Sequence, residues 1–550
     1  MKTIKLIVTH QGQLAKKYRP QDVKKIEKAV ASLVTRDKAR QFTTHYVHLD
    51  NPTEMKKYGV GKVTGTVTPG KCKIAIDGLF AALSPDYLVL LGAGDIIPDF
   101  KVANPSFDPD GDDDEQVPTD NPYACSRPFQ KSKRQSYLIP DRVVGRIPDL
   151  RGKNPDPAWL LDYLKVAEAW EFGTAKDYSD DLFVCCDTWK KAGAACVAYL
   201  SRKGKRLMIS PPVTVDAVGP LPKRYGARLH MIKCHGAPLD ANFYGQKGQK
   251  YPAVIHSTLL QGKTIERTVV GAMCCYGALL FDPDDPKAIA QGEPPIPSLY
   301  LRQGAYGFFG STTIAWVGFN DMQCADWIIG SALRSVLRGA SLGRAMLESK
   351  QNLVKWINQQ GRNPDLAEEK TLLQFYLLGD PSVHLVPVLQ PSSLATAALP
   401  ASRAAVAARA LGPADERRMR RYVAHQTGAQ LRGALPDRKV VSGHDDIAAG
   451  ALKAMEQDKK LGLAGFGFGR PLVHQVTSPL LQPELTTAGM RGVVAARGRA
   501  TPPVACKETL EYYWVARKNV KNSRIINARM VKVEADKSGA VIRTQVLVSS

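Results

Sequence analysis

The chain has 550 residues, 44% hydrophobic and 23% charged. Both values lie near the globular average, which excludes global disorder, a collagen-like repeat and a coiled coil. The net charge is +23, and residues 391–550 hold 25 Lys/Arg against 12 Asp/Glu, an excess of 13 and more than half of the total. That bias points to an anionic partner for this region, such as nucleic acid, a membrane surface or an acidic protein, or to a basic surface that only aids solubility.

In chain order, KLIVTH near the N-terminus reads as a compact strand, followed by helical spacing from about Leu14 to Leu33. HYVHLD gives a second strand and Tyr87–Leu91 a third, which runs into the Gly-Asp turn of LLGAGDIIP. A polar loop follows, with Asp108, Asp110, Asp112, Asp113, Asp114 and Glu115. Alternate carboxylates around Gly111 could wrap a calcium ion, but the full twelve-residue loop with a terminal Glu is absent, and a solvated acidic loop is expected.

The pattern resumes with VVGRIP (Val143–Pro148) and a helix from Pro157 to about Glu171. Four strands are then expected: Asp181–Asp187, Ala227–Gly236, Arg267–Gly277 and Gly304–Trp316. A long helix spans Asp321 to about Gln360, with a bend near Gly339. Strands alternating with helices predict an α/β fold with a mostly parallel sheet. Residues Leu394–Leu411 are Ala-rich without aromatics and read as a linker or surface helix, and the terminal runs RIINARMVKVEA and AVIRTQVLVS read as a hairpin. The expected organisation is an N-terminal α/β part (1–150), a second α/β part (151–390) and a smaller basic α+β part (391–550).

The opening MKTIKLIVTH has too short an apolar run for a signal peptide, and no run of about 18 apolar residues occurs. A cytoplasmic location without a membrane span is therefore expected, with the ten cysteines as thiols.

Two strand ends carry chemistry. MIKCHG ends in His235-Gly236, and VVGAMCCYG carries Cys274-Cys275 before Gly277. In an open parallel sheet the carboxyl ends of the strands line one crevice, so the two groups would face each other. The imidazole can take the thiol proton and leave the nucleophilic thiolate. The amides of Gly236 and Cys275 could form an oxyanion hole.

These residues resemble the caspase-type cysteine peptidases, and within them the gingipain-like group. LLGAGDIIP, TDNPY (Thr119–Tyr123), VVGRIP, MIKCHG, VVGAMCCYG, FGSTTIAW (Phe309–Trp316) and Gly379-Asp380-Pro381-Ser382 follow that group's order from about residue 1 to 390. The resemblance implies a caspase/gingipain-like three-layer sandwich and a cysteine endopeptidase acting on protein or peptide substrates. It implies His235 as general base, Cys275 as nucleophile, and a specificity pocket walled by Ser311 and Trp316. Asp162, in the helix after VVGRIP, is the candidate for a pocket acid that would favour a basic residue before the scissile bond. No cofactor and no metal is implied.

Other readings compete. GAGDIIP lacks the third glycine of a dinucleotide-binding turn, with Ile97 in its place. Cys234, His235, Cys274 and Cys275 are zinc-ligand types, but neighbours on a strand point to opposite faces and leave two ligands. A catalytically inactive scaffold and an anion- or nucleic-acid-binding protein using Glu511–Arg524 remain as alternatives.

Overall fold

The computed structural model describes residues 3–130, 134–201, 207–216, 224–262, 266–387, 435–442, 449–458, 461–479, 506–520 and 523–550, with single positions between 425 and 431. The Ala-rich stretch Leu394–Leu411 lies outside the described residues.

The main sheet has ten strands: β1 (Thr3–Thr9), β2 (Phe42–His48), β3 (Tyr87–Leu91), β6 (Val144–Ile147), β7 (Asp181–Cys186), β8 (Met208–Ser210), β9 (Leu229–Lys233), β12 (Val269–Ala272), β13 (Gly307–Ser311) and β15 (Phe375–Gly379). Their spatial order is β2-β1-β3-β6-β15-β13-β12-β9-β7-β8. Every pairing is parallel except β13 with β15. The fold is thus α/β with a mostly parallel sheet. Central strands such as β3, β9 and β12 are buried at nearly every position, as unbroken apolar runs covered on both faces require.

The two covering layers are legible on β9. His230 meets Tyr300 on one face, and Lys233 pairs with Asp326 on the other, all four buried. The expected helix Asp321–Gln360 is two helices, Cys324–Leu337 and Leu342–Gln359. Gly339 breaks it with φ +93°, a value that a side chain disfavours, and Ser341 caps the second helix.

The strand direction reverses between β15 and β13, so the sheet is two parallel halves joined antiparallel. The first half is built from β1, β2, β3 and β6, with β15 returning from residue 375 to complete it, and the second from β7, β8, β9, β12 and β13. A hairpin of β4 (Phe100–Ala103) and β5 (Gln116–Thr119) carries the acidic loop, and β10 (Asn242–Tyr244) pairs with β11 (Ala253–His256) beside β9.

The C-terminal region does not stand apart. Its strands β16 (Asp437–Val440), β17 (Leu472–Pro479), β18 (Cys506–Asn519), β19 (Ile526–Ala535) and β20 (Val541–Ser549) share one antiparallel sheet with β14 (Trp316–Gly318). β19 and β20 form the expected hairpin. Tyr513, Val515, Ala528, Met530, Leu547 and Val548 join the main core, and Tyr512, Trp514, Val531 and Val533 form a second cluster. The basic charge is partly absorbed here: Arg438 pairs with Glu369 and Glu511, Lys532 with Asp365 and Glu511, and Arg517 with Asp113. No helix among the described residues is long and apolar enough to cross a membrane.

Candidate active site

β9 and β12 are adjacent and parallel, in register from Leu229↔Val269 to Ile232↔Ala272. Continued three residues, that register brings Cys275 level with His235. The chain beyond β9 then passes against the turn beyond β12: a Cβ on Gly236 would lie 1.9 Å from the Cys275 carbonyl oxygen. Only glycine permits that approach.

His235 is fully buried, edge-on to Trp189 and Tyr251 with ring centroids 4.6 Å and 5.4 Å away. Its Nε2 lies 3.0 Å from Gln246 Oε1. The Gln246 amide nitrogen donates to Gly248 O and to the Tyr251 hydroxyl, so its oxygen faces the ring and Nε2 carries the proton. Nδ1 is the unprotonated nitrogen, buried and without a hydrogen-bond partner. Burial pushes this imidazole down to about 3, the Gln246 bond opposing and the Arg529 charge adding.

The adjacent cysteines have different surroundings. Cys274 Sγ donates to Ile232 O, beside the thiols of Cys234 and Cys186. Cys275 Sγ accepts the Ala315 N–H at 3.2 Å and donates to Ala315 O at 3.8 Å. Burial pushes the Cys275 thiol up to about 12, with the Ala315 amide and Lys370 opposing. Tyr276, the next residue, holds φ +55°. Such strain persists only where surrounding contacts impose it. Here its N–H bonds Thr313 O and its hydroxyl bonds Asp114.

The acidic loop is not a solvated loop over its length. Asp112 is fully buried, pairs with Lys370, and accepts from Ser106, Asn104 and the Trp316 indole. Asp114 accepts the Ile314 N–H. These carboxylates brace Ile314–Trp316, the segment that offers its amide to Cys275 Sγ. Among the described residues no group of three or more His, Cys, Asp or Glu side chains could hold a metal ion.

Ser311 and Trp316 lie near Cys275, but their polar atoms are engaged. Ser311 Oγ donates to Cys274 O at 2.7 Å and supports the cysteine turn from behind. Trp316 supplies backbone to β14 while its indole bonds Asp112. Asp162 requires a correction. It bonds Lys165 and Arg302 and lines a surface groove with Arg267, Gly304 and Tyr306. Those residues precede β12 and β13, so Asp162 sits at the amino ends of the strands whose carboxyl ends carry Cys275. The helix that holds it crosses the sheet and presents it at the wrong edge.

One occupant of the crevice was not foreseen. β20 pairs antiparallel with β14, Ser549 opposite Trp316, Val548 opposite Val317 and Leu547 opposite Gly318. Beyond it, Ser550 N and Oγ both donate to Ala315 O, at 3.0 Å and 3.1 Å. The Cys275 N–H donates to Ser550 O at 2.6 Å. Sequence reasoning also missed Gln246, which carries no local motif; its signal is its return from β10 eleven residues after His235.

No family model matches the chain, and no curated protein matches it. Solved structures do: one, described as "Structure of Protease", is 11% identical with a TM-score of 0.48, covering 100% of this chain and 97% of its own. That likeness carries no argument about mechanism.

Proposed function

We propose that the protein is a cysteine endopeptidase of the caspase/gingipain type, with Cys275 as nucleophile and His235 as general base. The observation that supports this best is the buried, unpartnered Nδ1 of His235 on the chain that packs against the Cys275 carbonyl. A lone pair kept free in a core normally costs stability, so an uncommitted acceptor at this position supports a role as base. Once the thiol leaves the Ala315 amide, its proton passes to Nδ1 and the sulfur attacks the scissile carbonyl carbon. The oxyanion forms at the Cys275 N–H, with Gly236 N–H beside it. His235 then returns the proton to the departing amine as the C–N bond breaks. Water, deprotonated by the same nitrogen, releases the acyl group from the thioester.

A second reading, a catalytically inactive scaffold, is favoured by one observation: thiol and imidazole are both buried and the crevice is filled. The two are separated by incubating the chain with a library of peptide amides, with and without prior iodoacetamide. Cleavage lost on alkylation supports the peptidase; no cleavage by any preparation with an accessible Cys275 supports the scaffold. For the basic C-terminal region, an anionic partner remains a proposal. Binding to single-stranded nucleic acid or acidic vesicles that weakens with salt would support it.

A further inference from the structure

The segment Leu547–Ser550 lies as the acyl side of a bound peptide would. It is extended, pairs antiparallel with β14, and ends with its carbonyl on the N–H of Cys275. Resting on the peptidase reading, we infer that Leu547–Ser550 occupies the protein's own substrate groove as a removable plug, and that Ser550 marks the position before the scissile bond, which therefore takes small, uncharged residues.

Four observations converge. The Ser550 carbonyl oxygen lies where an oxyanion would be stabilised, 2.6 Å from the Cys275 amide. The Ser550 side chain is fully buried, and its hydroxyl turns back to Ala315 O. The nearby carboxylates Asp112 and Asp114 are already engaged by Lys370, the Ile314 N–H, the Tyr276 hydroxyl and the Trp316 indole, so neither awaits a basic side chain. Leu547 and Val548 are buried in the main core, which predicts apolar residues at the two positions further from the scissile bond. The seated strand also bears on the thiol: Ser550 lies against the Cys275 N–H, and burial there keeps the thiol protonated.

The test compares the full chain, a chain ending at Val548, and full-length Ser550→Pro, which lacks the N–H given to Ala315. The second full-length variant covers the case in which the shortened chain fails to fold, and circular dichroism establishes which variants are folded. The first readout is alkylation of Cys275 by iodoacetamide, followed by mass spectrometry. Folded unplugged chains should react about tenfold faster or more, because the thiolate fraction rises as the site is wetted. Equal rates in full-length and folded unplugged chains would overturn the inference. The second readout adds acetyl-Leu-Val-Ser-Ser-amide or acetyl-Leu-Val-Ser-Arg-amide to the unplugged chain. Protection of Cys275 by the first and not the second is expected; equal protection by both overturns the small-residue assignment. Protection without any hydrolysis of a matching Leu-Val-Ser-Ser aminocoumarin would uphold the plug and refute the peptidase. Hydrolysis that is the same in plugged and unplugged chains would do the reverse.

Discussion

Two neighbouring cysteines, alike as residues, make different bonds, and the proposed nucleophile is the one that accepts a backbone amide. Cys275 Sγ faces the Ala315 amide at the crevice, while Cys274 Sγ points to Ile232 O. In an unplugged chain, Cys275→Ala should therefore abolish peptide hydrolysis and Cys274→Ala should retain most of it, as measured by steady-state cleavage. Gly236 offers a geometric test. An added Cβ meets a backbone oxygen at 1.9 Å, which no side-chain rotation relieves. Gly236→Ala should shift the cysteine turn, cost ~1–3 kcal/mol by urea denaturation and remove most activity. Gln246 acts through the imidazole, holding the proton on Nε2. Gln246→Glu places a carboxylate there, which favours imidazolium and raises the His235 pKa. The acid limb of the pH–rate profile should move to higher pH, a shift that a merely structural role for Gln246 would not produce.

At the scale of elements, the strands around the site were readable because each is an unbroken apolar run ending in a polar or small residue. MIKCHG and VVGAMCCYG show their boundaries directly. Pairing order was not readable, since parallel strands joined by long crossovers leave no local trace of their neighbours. The same reason hid β14 with β20, and it hid the use of the acidic loop, whose partner Lys370 lies 258 residues away. Asp162 was misplaced because helix position along a sheet is set by packing, not by its distance from a motif. The buried charges linking the Leu366–Gln374 helix to the C-terminal sheet are a further case. Arg438 serves both Glu369 and Glu511, whose side chains are 0% and 6% exposed. Arg438→Met should strand buried carboxylates and lower stability by ~3–5 kcal/mol, read as a reduced urea midpoint.

For the whole molecule, buried titratable groups set the response to acid. Burial holds His230 and His474 down to about 4 and His235 to about 3. Each is neutral when folded and takes a proton more readily when unfolded. Its contribution is therefore complete above the unfolded pKa near 6.5 and is lost as pH falls towards the folded value, at up to ~1.4 kcal/mol per pH unit per group. Asp112 and Glu369, raised by burial, act in the opposite sense, so the informative quantity is a difference between variants. His230→Asn should show a shallower fall of melting temperature than the parent between pH 6.5 and 4.5. His230 suits this test because it lies on the opposite face of β9 from the crevice.

The pairing of β14 with β20 also bears on how the molecule opens and closes as a unit. It joins Trp316 to Ser549, and Lys5 bonds Asp380 across 375 residues, so the fold is dominated by distant contacts. Such contacts slow folding, because the closure of long loops must precede any gain from them. The C-terminal strands also bury part of the main core, so β14, the Cys275 turn and β20 share one cooperative unit. Opening of that unit, read by hydrogen exchange, should therefore expose the amides of Cys275 and Leu547 together.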